Sequence, residues 1–304
     1  MYEGKLIFAQ VMEFIPKYEF QKCVDRYAGN HKIRHFSCWD QYLCMSFAQL
    51  TRRESLRDIE ASLRSVQGKL YHMGIRGRIS KSTLADANEK RDWRIYADFA
   101  QILISQARIL YQDNELGADL ENTVYALDST MVDLCLSLFP WSKPNNQKLD
   151  RGSIKLHTLL DLRGNIPSFI KITHSIVRDN FILDEFIPEA GSFYIMDRGY
   201  VDFKRIYRFE CHSAFFVLRM KSDIQFRRIY SHPVEELSTI RYDQTVVLNN
   251  AKTYKKYPEK LRKIRILDKD TQKDLILVTN NFVLPSAIIA ELYRCRWQIE
   301  LFFK

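Results

Sequence analysis

V-Y-A-L-D-S-T, residues 124–130, is an apolar run of strand length that stops abruptly at a carboxylate, Asp128. The pattern returns at 193–200, F-Y-I-M-D-R-G-Y, where the run stops at Asp197. A run this apolar reads as a central strand covered on both faces. A carboxylate at its carboxyl end is costly to bury unless it is paired or binds a metal. A third carboxylate, Glu300, lies in Y-R-C-R-W-Q-I-E (293–300), on a final helix opened by Pro285 and Ser286. Two strand-end aspartates and one helical glutamate are the inventory of a two-metal phosphoryl-transfer site.

Further strands are expected on either side of these two runs. Candidates are 153–162, 166–173, 214–220, 244–248, 263–267 and 274–280, with Arg163, Gly164 and Asn165 as a tight hairpin turn between the first two. Short helices are expected at 179–187 and 202–209. Neighbouring strands joined by a hairpin, followed by alternating helices and strands, describe a mixed α/β sheet flanked by helices. On the last helix, Tyr293, Arg296 and Glu300 share one face at about 100° per residue. Ile288, Leu292, Cys295, Ile299 and Phe302 form an apolar stripe beside it that would pack on the sheet. An arginine one turn before a glutamate is usually a plain surface ion pair. The two strand-end aspartates are what make this one a candidate site.

The first part of the chain has helical periodicity. Phe8, Val11, Met12 and Ile15 recur at helix spacing, Ser37 can cap a helix over 38–50, and Thr51 with Glu54 suggests a capping box before 55–63. After the link M-G-I-R-G-R (73–78), Ser82 is a plausible cap of a helix reaching about Glu89. Helix, turn and helix, opening with Lys81, Ser82 and Thr83, fit a helix-turn-helix reader of DNA; an ordinary helical bundle with polar faces fits too. Residues 92–112 form a long amphipathic helix with Trp93, Tyr96, Phe99, Ile102, Leu103 and Leu110 expected in the core. The polar stretch 113–119 marks a boundary. The expected organisation is a helical N-terminal domain (1–78), a helical connector (79–118) and a catalytic domain (119–304) with a β-rich insertion at about 221–284.

The totals narrow the class. With 46% apolar and 13% aromatic residues, a chain of 304 residues is globular and holds a sizeable core. No apolar run approaches the roughly 18–20 residues of a membrane span, and the N-terminus has no basic region followed by a long apolar one. Six scattered cysteines without C-x-x-C fit a reduced, cytoplasmic protein. Forty-six basic against 37 acidic residues give a net charge of +9, which favours a polyanionic partner.

Y-x-x-R-x-x-x-E (Tyr293, Arg296, Glu300), L-D-S-T (127–130) and M-D-R-G-Y (196–200) together resemble the insertion-sequence-four family of bacterial transposases. K-L-H-T-L-L-D-L-R-G-N-I-P (155–167) and the β-rich stretch before the glutamate look like that family as well. The resemblance covers roughly 120–304, and the helical first part looks like the domain that accompanies one branch of the family. It implies a DDE-class enzyme on a ribonuclease-H-like fold, cutting transposon ends and joining them to target DNA. Asp128, Asp197 and Glu300 would be catalytic and would bind two Mg²⁺ ions, with Mn²⁺ as a substitute. Tyr293 and Arg296 would hold DNA phosphates, with Lys81, Ser82 and Thr83 as further DNA contacts. The implied partners are double-stranded terminal repeats and target DNA, bound by a homodimer at the bacterial nucleoid.

The chain departs from the family at two points. The signature continues to a lysine seven residues beyond the glutamate, which would be position 307, whereas this sequence stops at Lys304 and so resembles a C-terminally truncated member. Family members often carry His-Asp where this chain has Arg178 and Asp179. Two other functions share the same features: a metal-dependent nuclease that cuts DNA without joining it, and a shortened, non-catalytic DNA-binding inhibitor of transposition. His31 and His35 near Cys23 and Cys38 match no structural zinc spacing. His157 reads as a satisfied core or edge histidine, and Asp133 and Asp161 are spare carboxylates.

Overall fold

The computed structural model describes residues 6–111, 122–134, 152–221, 223–234, 239–267 and 272–304, and divides into two compact units, Met1–Gln106 and Ala107–Lys304. The expected boundary at 113–119 lies outside the described residues.

The second unit is built on one sheet. Its strands are β1 (Val124–Leu134), β2 (Gly152–Asp161), β3 (Ile166–His174), β4 (Phe193–Met196), β5 (Phe215–Arg219), β6 (Phe226–His232), β7 (Ile240–Leu248), β8 (Leu261–Leu267) and β9 (Asp274–Thr279). Among the described residues they run in the order β3-β2-β1-β4-β5-β9-β8-β7-β6. β1, β4 and β5 are parallel, and every other pairing is antiparallel. This is the expected ribonuclease-H-like mixed sheet. The β-rich insertion prolongs the same sheet beyond β5. Gly164 and Asn165, both at positive φ, close the tight β2–β3 hairpin.

The apolar runs are central because helices cover both of their faces. Along β1 and β4, residues alternate between two cores. Tyr125, Leu127, Tyr194 and Met196 pack with Phe203, Ile206 and Phe209 of helix α7 (Phe203–Cys211). Val124, Ala126, Phe193 and Ile195 pack with Ile289, Leu292, Tyr293 and Ile299 at the chain's end. Each Val, Leu, Ile, Phe or Met side chain among these, taken fully out of water, contributes about 1.5–3 kcal/mol. Period two therefore sends Asp128 and Asp197 to the face of the C-terminal helices and Ser129 to the other.

Several sequence expectations shift. The last helix is two, α9 (Ser286–Cys295) and α10 (Trp297–Phe302). Around Arg296 the hydrogen bonds tighten to i→i−3, from the Arg296 N–H to Tyr293 O and from the Ile299 N–H to Arg296 O. Tyr293, expected on the polar face, is buried, and Phe302, expected in the apolar stripe, is 40% exposed. Residues 179–184 form a 3₁₀ turn rather than an α-helix. β6 was not expected at all.

The first unit is all-helical: α1 (Ile7–Glu13), α2 (Lys17–Arg26), α3 (Cys38–Leu50), α4 (Leu56–Ser65), α5 (Lys81–Lys90) and the first part of α6 (Arg94–Leu110). Ser37 caps α3 as expected, in a capping box with Asp40. Ser55, not Thr51, caps α4, and Ser80, not Ser82, caps α5. Leu84 and Ala87 of α5, and Ile95 and Phe99 of α6, are buried in this unit's cores, so both helices belong to its packing rather than to a separate connector. Trp93, expected in the core, is 72% exposed. Cys23 and Cys38 are buried free thiols in one of these cores. Residues 66–80 join α4 to α5 through two 3₁₀ turns, far longer than the roughly 3–4-residue turn of a helix-turn-helix.

Candidate active site

The site begins with strand register. β1 and β4 pair in parallel from Val124↔Phe193 to Leu127↔Met196, so Asp128 and Asp197 are the next residues on neighbouring strands. Strands in a sheet lie about 4.8 Å apart, so the two carboxylates are neighbours where β4 ends. β1 itself runs on to Leu134 beside β2, and Asp128 is therefore not the strand end that the sequence suggests. Asp197 directly follows β4 in extended conformation, and its Oδ1 accepts a hydrogen bond from the Gly199 N–H at 2.7 Å.

The C-terminal helices bring the third carboxylate. Arg296 Nη1 donates to Asp128 Oδ2 at 3.0 Å, and Arg296 Nη2 donates to Glu300. One guanidinium thus bridges the β1 aspartate and the helical glutamate. Among the described residues, neither its Nε nor the buried Tyr293 hydroxyl has a hydrogen-bond partner within bonding distance. Of the residues expected at the site, Asp128, Arg296 and Glu300 are in direct contact. Asp197 lies on the adjoining strand end, and Tyr293 sits one turn before Arg296 with its ring 5.9 Å from the guanidinium carbon. Lys81, Ser82 and Thr83 belong to the other unit, on the first turn of α5. There Lys81 and Ser82 are exposed, and the Thr83 hydroxyl is hydrogen-bonded to Ser80.

Burial sets the electrostatics. Loss of solvent pushes the Asp128 carboxyl up to about 6. The Ser129 N–H and Arg296 pull it back down, while Asp197 and Glu300 push it further up. The Arg296 guanidinium is held above its ordinary value: burial opposes its charge, and Tyr293, Glu300 and Asp128 outweigh burial. Burial also raises the Tyr200 hydroxyl well above its usual range, with Asp128, Asp179 and Asp197 adding to the effect.

Sequence reasoning missed a fourth carboxylate. Asp179 Oδ1 accepts from the Ser129 hydroxyl at 2.9 Å and from Lys155 Nζ at 3.0 Å. A Cβ at Gly199 would stand 2.9 Å from Asp197 Oδ1 and 3.4 Å from Asp179 Oδ2. Glycine there lets the backbone run between the two aspartates. His157, fully buried, bonds through Nε2 to the Thr173 hydroxyl, but its Nδ1, 3.9 Å from Asp179 Oδ1, has no hydrogen-bond partner among the described residues, so it is only half satisfied. Burial lowers its value, against the pull of Asp179. The signal available for Asp179 was the Arg-Asp pair itself, at the place where the resembling family carries His-Asp. The spare carboxylate Asp161 pairs with Tyr125, three residues back along β1 from Asp128, so register removes it from the site.

Among the described residues, no three His, Cys, Asp or Glu side chains stand close enough to hold an ion, because Arg296 lies between Asp128 and Glu300. The donor chemistry nevertheless fits a divalent cation. The set is purely carboxylate oxygen, which suits Mg²⁺ or Mn²⁺. A carboxylate whose charge is disfavoured by burial also gains most from a nearby cation.

With fold and site in place, comparison identifies the class. Residues 119–304 match the family described as transposase DDE domain, and the chain belongs to that family. Membership implies use of a divalent metal. Residues 3–76 match a domain of unknown function, DUF4372. Among individual relatives, the chain is 31% identical over 227 residues to "Putative transposase y4zB" of Sinorhizobium fredii, covering 73% of this chain and 60% of that protein. It is 26% identical over 180 residues to "Probable transposase for insertion sequence element IS5377" of Geobacillus stearothermophilus, covering 59% and 46%. The chain therefore spans about half to three-fifths of the length of these two relatives. The cryo-EM structure of a piggyBac transposase synaptic complex with hairpin DNA aligns with a TM-score of 0.48 at 10% identity, over 99% of this chain and 68% of that one. So distant a likeness adds nothing to the assignment. Among the described residues, no helix is long and apolar enough to cross a membrane.

Proposed function

We propose that this chain carries the catalytic machinery of a DNA transposase that cleaves at transposon ends and transfers the cut strands to target DNA. The observation that carries this reading is the matched register of β1 and β4, which aligns Asp128 with Asp197, joined to the Arg296 bridge that draws Glu300 to Asp128. In this reading Asp128, Asp197 and Glu300 hold two Mg²⁺ ions, with Mn²⁺ able to replace them. Bound there, the ions supply an activated oxygen nucleophile and a stabilised leaving oxygen.

The remaining roles fall to the chain's own groups. Arg296 offers a planar fork suited to a phosphate, and its unpartnered Nε leaves it capacity for one. Tyr293, buried with its ring beside the Arg296 guanidinium, supports Arg296 from the core side and is assigned to the same phosphate. Gly199 keeps Asp197 on the strand end through its N–H. Lys81, Ser82 and Thr83 contribute to DNA binding from the helical unit. The partners are terminal repeats and target duplex, taken by a homodimer in the cytoplasm at the nucleoid. A nuclease that does not join strands shares this geometry, and a non-catalytic inhibitor would bind DNA without needing the carboxylates. Incubating the protein with Mg²⁺, a duplex carrying its element's terminal repeat and a supercoiled target separates the three. Joined products that vanish in Asp128→Ala are expected. Cleavage without joining indicates the nuclease, and DNA binding with no cleavage indicates the inhibitor.

A further inference from the structure

The charge of this chain is unevenly placed. Residues 31–83 hold ten Lys and Arg against four Asp and Glu, which is six of the nine net positive charges. Much of that excess faces a single concavity in the helical unit. The cleft has a volume of about 1000 Å³ and is lined by Lys17, Arg34, Arg76, Arg78, Trp39 and Tyr71, among others. Arg34 precedes α3, and Arg76 and Arg78 come from the long α4–α5 connector.

These cations are free. Six other Lys or Arg side chains of this unit, Lys22, Arg26, Arg53, Arg64, Lys90 and Arg94, pair with a carboxylate. Arg34, Arg76 and Arg78 are exposed, and among the described residues no carboxylate lies within ion-pair distance of them. Lys17 lies over the Trp39 ring at 5.3 Å, and among the described residues no carboxylate lies within ion-pair distance of it. Among the described residues Asp40 is the one carboxylate lining the cleft, and it accepts from the Ser37 backbone N–H and hydroxyl at the start of α3. The first turn of α5, whose Thr83 also lines the cleft, carries no acid either. Unneutralised arginines held side by side repel one another unless an anion is present.

We propose that this cleft is a docking surface for the phosphodiester backbone of duplex DNA, with Arg34, Arg76 and Arg78 on successive phosphates. The assignment deepens the reading of the chain as a DNA transposase and rests on it. A polyanion that threads a concavity fits four cations from three separate segments, whereas a flat anionic membrane cannot reach the cleft floor. The backbone carries no sequence information, so these contacts position the duplex, and discrimination is left to the exposed polar face of α5.

The test is the salt dependence of duplex binding by the whole chain. Fluorescence anisotropy on a random-sequence duplex of about 30 base pairs, across a KCl series, compares wild type, the triple Arg34→Gln/Arg76→Gln/Arg78→Gln variant and a control triple Lys255→Gln/Lys256→Gln/Lys260→Gln. The control removes three exposed lysines from the other unit. Losing three phosphate contacts lowers the slope of log Kd against log salt by about 2–3 and weakens binding at 0.1 M salt by tenfold or more. The control should lower it by less than one. The triple Arg→Lys variant at positions 34, 76 and 78 should keep most of the slope, which separates lost charge from lost folding. An unchanged slope in the glutamine triple, or equal losses in both triples, overturns the cleft while leaving DNA binding intact. Absence of duplex binding by wild type at any salt overturns the transposase reading and the cleft with it.

Discussion

Two arginine–carboxylate pairs in the sheet unit share their chemistry and differ in everything around them. Arg262 on β8 meets Asp243 on β7 with both side chains almost wholly buried, at 8% and 3% exposure. All three guanidinium nitrogens are bonded: Nε and Nη2 to the carboxylate, Nη1 to the carbonyl oxygens of Leu284 and Asn281. Arg296 and Asp128 are more open, at 16% and 21%. There Nε is unpartnered, a second carboxylate competes for the same guanidinium, and Asp128 is pushed up to about 6. A saturated pair is a structural rivet. An unsaturated pair at the point where the β1–β4 pairing ends is a set of groups able to exchange partners.

The largest break in that comparison is Arg262→Ala. Removing one partner of a buried pair leaves the other charge unpaired and costs about 3–5 kcal/mol. Chemical denaturation should show that loss, and Arg296→Ala should cost less than half as much. Equal losses would mean that both pairs are rivets.

The signs should also differ between the two aspartates. Burial makes the Asp128 charge unfavourable, so Asp128→Asn without metal at pH 7.5 should leave Tm unchanged or raise it by about 2–4 °C. Asp243→Asn should lower it. A clear fall in both would contradict the distinction.

The pH response sharpens the comparison further. A carboxyl whose folded value is raised binds its proton more tightly in the fold than in the unfolded chain. Metal-free stability attributable to Asp128 is therefore greatest at low pH and declines as pH rises from about 4 to 6. Divalent-ion binding needs the deprotonated form and runs the other way. Mn²⁺ affinity should weaken by up to tenfold per pH unit below about 6. A flat profile between pH 5 and 7.5 would remove Asp128 from the ligand set.

The smallest expected effect is that of Gly199→Ala. The added Cβ meets Asp197 Oδ1 at 2.9 Å. Such crowding should shift the carboxylate by a few tenths of an ångström, weaken Mn²⁺ binding severalfold and lower Tm by about 2–4 °C, or about 1 kcal/mol. Wild-type affinity in this variant would show that Asp197 needs no such cradle.

What could be read in the residues divides along physical lines. Val124–Leu127 and Phe193–Met196 are legible because a stretch buried on both faces has no reason for polarity until its cover ends, and both stretches give way to aspartate, although β1 itself continues to Leu134. Asp179 was not legible. It opens the 3₁₀ turn 179–184 within the polar run R-D-N and reaches the site through Ser129 and Lys155, contacts set by strand register rather than by local pattern. β6, F-R-R-I-Y-S-H, escaped notice because it is an edge strand exposed along most of its length, so burial imposes no alternation on it. Tyr293 shares a polar face with Arg296 and Glu300 only on an uninterrupted α-helix; the turn tightens at Arg296, and Tyr293 packs in the core. In the helical unit, Ser82 is the expected cap of α5, and Ser80, two residues earlier, holds the position by accepting from the Thr83 N–H.

The central claim is that the register-matched aspartates and Glu300 form a cation site which Arg296 bridges when no cation is bound. Titration of Mn²⁺ into the protein at pH 7.5, with free ion followed by electron paramagnetic resonance, measures this directly. The account predicts two bound ions in the wild type, and loss of at least one in Asp128→Asn, in Asp197→Asn and in Glu300→Gln, with Asp243→Asn binding like wild type wherever it remains folded. Equal Mn²⁺ binding by the wild type and all three site variants would contradict it.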